Sequence, residues 1–170
     1  MPLTLNSLQW LVQNPKEGHK TQYYYYNDSV KNSIGYRSTP SHWVLMTRDV
    51  IPGSRNKSYQ QQRNILTHYT KESSQPYKFP TAIEAATCIL MEYVQTGTKL
   101  YGNIPWTYTL CQEGVAVGGF GGLVARGLDI ITPTPHWDND DICGVSGSRK
   151  LSTLAFGTWT GPWSLQHLDD

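Results

Sequence analysis

The chain has 170 residues and 19.2 kDa, the size of one domain with a core of its own. Fourteen Lys and Arg against thirteen Asp and Glu leave a net charge of +1, which excludes the basic footprint of a dedicated nucleic-acid binder. An aromatic share of 12% beside a charged share of only 16% excludes a disordered chain, and 15 Gly with 10 Pro predict a loop-rich α+β fold.

Leu3, Leu5, Leu8, Trp10, Leu11 and Val12 predict a short amphipathic helix that Asn14-Pro15 stops. Tyr23 to Tyr26 read as a strand, with Asn27-Asp28-Ser29 as the turn after it. His42 to Thr47 is apolar on both faces and predicts a central strand. Ile51-Pro52-Gly53-Ser54 turns the chain into a loop that opens a helix from about Tyr59 to Lys71. Its apolar residues form a narrow stripe, which places it on the surface. Thr81-Ala82-Ile83-Glu84 is a capping box, and Gly97 supplies a left-handed stop. Between them Ile83, Ala86, Leu90, Tyr93 and Val94 mark one helical face that packs on a sheet. Short strands follow at Trp106–Gln112, Val115–Phe120, Leu128–Thr132 and Val145–Leu151. The chain divides into an N-terminal strand and helix region (1–40), a module (41–151) and an aromatic tail (152–170) of one domain. That tail keeps Leu154, Phe156, Trp159, Trp163 and Leu165, too many large apolar groups for a free end, so it packs back or meets a partner.

No apolar run is long enough to span a bilayer, and the start lacks the basic and apolar regions of a secretory signal. Cys88, Cys111 and Cys143 are too few and too scattered for a disulfide framework or a zinc cluster, and read as reduced, buried small hydrophobes.

The segments HWVLMTRDVIPGSRNKSYQQQ, YKFPTAIEAATCILMEYVQTG, PWTYTLCQE, VAVGGF, GLDI and GVSGSRKL, in order from about Ser41 to Leu151, carry a resemblance. Together they are similar to a family of protein modules from chlamydia-like bacteria that live inside amoebae. The resemblance brings no activity with it; it implies a protein of the bacterial cytoplasm or one delivered to a host cell. A second resemblance concerns the fold. Phe79-Pro80-Thr81-Ala82-Ile83-Glu84, Thr107-Tyr108-Thr109 and Gly147-Ser148-Arg149 resemble the C-type-lectin-like fold in its formylglycine-generating-enzyme variants. That likeness implies two main helices packed on short antiparallel strands. Trp137 to Cys143 resembles the calcium segment of lectins, although the Glu-Pro-Asn or Gln-Pro-Asp partner of that site is missing. The paired active-site cysteines of the formylglycine-generating enzymes are missing as well.

Three sets of residues bear chemistry. Asp138, Asp140 and Asp141 offer oxygen ligands to calcium, the one cofactor the sequence suggests. Arg48, Arg55 and Lys57, with the amides of the 53–57 turn, form an anion-binding candidate at a helix N-terminus. Trp106 and Trp137 present aromatic contact area from loops. Together they predict a non-catalytic module that binds a protein or glycan, with no nucleic-acid specificity and no membrane span. The alternative is a small hydrolase or transferase built on Arg48, Arg55, His136 and Cys143, which requires those residues to converge.

Overall fold

A computed structural model describes residues 2–25, 28–101, 106–119, 127–132 and 141–151. Its elements are α1 (Leu5–Gln13), β1 (Tyr23–Tyr25), α2 (Asp28–Ile34), β2 (Trp43–Met46), α3 (Tyr59–Ser73), α4 (Ala82–Thr96), β3 (Tyr108–Leu110), β4 (Ala116–Gly118), β5 (Leu128–Ile131), β6 (Cys143–Gly144) and β7 (Ser148–Leu151). The protein is thus of the α+β class. Among the described residues no helix is long and apolar enough to cross a membrane.

Each long helix begins where a side chain satisfies the free amides of its first turn. Ser58 and Gln61 exchange such bonds at the start of α3, Thr81 and Glu84 at the start of α4. Gly97 ends α4 at φ +74°, a conformation that costs a residue with a Cβ about 1–2 kcal/mol. The expected turn at Asn27-Asp28-Ser29 is corrected: Asp28 and Ser29 open α2, because Val30 and Ile34, four residues apart, give that segment a buried stripe.

The strands form two sheets. Five pair in the order β1-β5-β4-β3-β6, and β2 pairs with β7 alone. The hairpin neighbours β3–β4 and β4–β5 are antiparallel, while the two outer strands join parallel, Tyr23 opposite Leu128 and Tyr108 opposite Cys143. All residues of β3, β4 and β5 are buried, so both faces of this sheet are covered. Val117, Leu128 and Ile130 pack with Leu5, Leu8, Val30, Ile89 and Leu90 from α1, α2 and α4. On the other face Tyr108, Leu110, Ala116 and Ile131 meet Leu66 of α3 together with Phe79 and Val145.

The expectation of a central strand at His42–Thr47 is also corrected. β2 alternates exposed and half-buried, with Trp43 at 68% exposure and Leu45 at 46%. A continuous apolar run does not by itself distinguish a strand covered twice from one covered once.

One buried pair spans the five-stranded sheet. The Tyr108 hydroxyl donates to Asp129 Oδ2 at 3.1 Å, and Gly119, at φ +60°, leaves room for it, since a Cβ there would stand 2.2 Å from that hydroxyl oxygen. Burial raises the Asp129 carboxyl above the ordinary carboxylate range, against the lowering effect of the Tyr108 bond. A carboxyl raised on folding stabilises fully below its unfolded pKa, and that contribution is lost as pH rises through the folded value. Asp129→Asn, which keeps an acceptor for Tyr108, therefore gains stability relative to the natural chain between about pH 4 and about pH 7.5. Urea denaturation of both proteins at the two pH values checks this; a difference that stays flat or falls overturns it.

Candidate functional site

The first turn of α4 collects more polar contacts than its length requires. Glu84 is buried, yet its carboxylate meets groups from three parts of the chain. Oε2 accepts the Thr81 amide at 2.9 Å, as the capping box demands. Oε1 lies 2.8 Å from His42 Nε2, just before β2, and 3.8 Å from Lys150 Nζ of β7. The other ring nitrogen of His42 lies 2.8 Å from the Pro40 carbonyl oxygen. Both ring nitrogens of His42 thus face oxygen acceptors within the protein.

A second carboxylate sits at the same helix end. Glu113, in the β3–β4 turn, accepts the Ala82 amide at 3.0 Å. Burial raises its carboxyl, and that bond acts the other way. The positive end of the helix dipole faces both acids.

Glu84 separates two clefts. The larger, of about 490 Å³, is lined by Leu3, Pro40, His42, Val44, Ile83 and Thr87 among others. Thr87, one turn along α4 from Glu84, has its Oγ1 buried without a hydrogen-bond partner. The smaller cleft, of about 280 Å³, lies on the Lys150 side, with Lys78, Gln112 and Ser148. A mixed lining with a hydrogen-bonded acid and imidazole and one unpaired hydroxyl suits a small polar group or a protruding loop of a partner.

The described residues among those predicted from sequence lie outside these two clefts, and of them Arg55 and Asp141 are brought together. Arg48 is exposed and pairs with Glu92 at 2.6 Å. Arg55 turns inward: it donates to the Thr107 hydroxyl at 2.7 Å and the Asp141 carbonyl at 3.2 Å, with Asp49 at 3.7 Å. Lys57 is exposed, and its carbonyl accepts from Gln62. The amide of Ser54 is spent on Ile51 and its hydroxyl receives the Val145 amide, so the 53–57 turn fastens the sheet as well as leading into α3. Trp106 is half-buried against the α3-side core.

Asp141 is exposed, while Trp137, Asp138, Asp140, His136 and the tail lie outside the described residues. Among the described residues no group of three or more His, Cys, Asp or Glu side chains is placed to hold a metal ion. Cys88 is partly buried, and Cys111 and Cys143 are buried. Burial pushes Cys88 up to about 11 and Cys111 well above its usual value, so both are poor nucleophiles. Ser146 is buried, with its hydroxyl against that of Tyr101.

Sequence reasoning found Glu84 only as a cap and passed over His42, Thr87 and Lys150. The capping box was the one available signal, since an acid at its third position is held in place before any tertiary partner arrives. No family model matches the chain, and neither the curated proteins nor the solved structures gave a match.

His42→Ala and Glu84→Gln should each destabilise the fold, and the double variant less than the sum of the two. A double-mutant cycle by urea denaturation should return a coupling of roughly 1 kcal/mol, as for groups in direct contact within one network. Strict additivity would deny the pair an energetic role.

Proposed function

We propose that this protein is a non-catalytic binding module that takes a sugar unit or a protein loop into the cleft beside His42 and Glu84. The observation that carries this reading is Thr87 Oγ1, buried and unpaired on the wall of that cleft. An unpaired buried hydroxyl costs about 1–3 kcal/mol, a cost that a ligand hydroxyl or amide removes when the Thr87 side chain turns toward the cleft. The acid and the imidazole in the same wall are committed to each other and to Pro40, which suits orientation of a ligand better than proton transfer.

A C-type-lectin-like arrangement belongs to the same proposal. It is supported by a Pro-Thr-capped α4 followed by short strands and by β7 as a late strand carrying Ser148-Arg149. The parallel pairings of β1 and β6 do not favour it. The likeness to modules of amoeba-associated bacteria is what supports a partner from a host cell.

Thermal-shift titration with neutral and acidic oligosaccharides tests the reading. A binder at 100 times its Kd adds about 2.7 kcal/mol, several degrees for a domain of this size. That shift should vanish in Thr87→Val, which keeps the shape and loses the hydroxyl. If no sugar shifts the melting temperature, and a cleft-blocking Val44→Arg chain captures the same proteins as the natural chain, the cleft is not the binding surface.

A further inference from the structure

The sheet of β2 and β7 has one face on the body of the protein and one without a described cover. Register places Trp43 opposite Leu151 and Leu45 opposite Arg149, so these four residues share a face. Val44, Met46, Ser148 and Lys150 share the other, toward α4. Trp43 and Leu45 are among the largest exposed apolar groups described. Arg149, beside Leu45 on the neighbouring strand, keeps its Nε buried and without a hydrogen-bond partner. An aromatic, an aliphatic and an unspent guanidinium donor on one strand pair make an apolar surface with a polar anchor point.

We propose that residues 152–170 of the same chain cover this face, with Trp159 and Trp163 against Trp43 and Leu45. β7 ends at Leu151, itself a member of the face, so the segment begins where the surface does. Two strands of four residues present a face about 13 Å long. The eight residues from Ser152 to Trp159 reach about 25 Å when extended, enough to return across it. The segment carries Leu154, Phe156, Trp159, Trp163 and Leu165, no Lys or Arg, and ends in Asp169-Asp170. It therefore matches the face in apolar character and opposes Arg149 in charge. A linker this short gives an effective concentration in the millimolar range, so even weak docking outcompetes a separate partner. The inference stands independently of the cleft reading.

Hydrogen exchange of the full chain, read by mass spectrometry, tests it. Amides of 152–170 should exchange about tenfold or more slowly than an unstructured chain, and Trp43→Asp should release them while α4 stays protected. Carbene footprinting of Trp43 and Leu45 should rise several-fold in the Trp159→Ala, Trp163→Ala double variant, whose changes lie outside the described fold. Exchange at unstructured rates in the natural chain overturns the proposal, as does footprinting unchanged in the double variant. Protection that appears only at concentrations where sedimentation detects a dimer also overturns it, because a second copy is then the cover.

Discussion

The segment from Lys78 to Glu84 holds the molecule together. Its backbone exchanges two hydrogen bonds with Ser148 of β7, at 2.8 Å each. One and two residues later the Phe79 and Pro80 carbonyls accept from the side chain and amide of Gln112, just past β3. The Ala82 amide donates to Glu113 in the following turn, and Glu84 gathers His42 and Lys150 from the smaller sheet. One capped helix start therefore ties the five-stranded sheet to the two-stranded one. Neither sheet contributes a strand to the other, so these polar contacts supply much of their relative placement.

Two acids at one helix terminus face each other's charge, and each manages it differently. Glu84 has a basic partner on either side, whereas Glu113 has mainly the Ala82 amide and pays with a raised carboxyl. The first arrangement fixes geometry; the second makes the terminus sensitive to its surroundings.

Much of the local structure was legible in the residues. The Thr81 box and Gly97 bounded α4 within a residue, and Tyr59 began α3, because caps act through neighbours three residues away. Strands β3, β4, β5 and β7 followed from their turns. Other things did not follow, β6 at Cys143–Gly144 among them, which falls outside the expected strand at Val145–Leu151. α2 rests on two apolar residues, too few for a periodic signal. The exposure of Trp43 and Leu45 depends on which strand lies beside them, and Ser148–Leu151 is distant in sequence. The Glu84 site was hidden for the same reason, since His42, Glu84 and Lys150 come from three separate stretches and share no spacing. Arg48 and Arg55 looked like a pair because they are near in sequence; tertiary contacts sent one to Glu92 and the other to Thr107.

The strand pairings also bear on how the chain is made. β1 waits for β5 and β2 for β7, partners more than a hundred residues downstream. During synthesis at about 5–20 residues per second, two tyrosine- and tryptophan-bearing strands emerge many seconds before anything can pair with them. Contacts of such long range close slowly, since the loop entropy is lost before the contact is gained. The N-terminal third is therefore the part of the nascent chain most in need of protection, since β2 stays unpaired until β7, the last of the described strands, has been made.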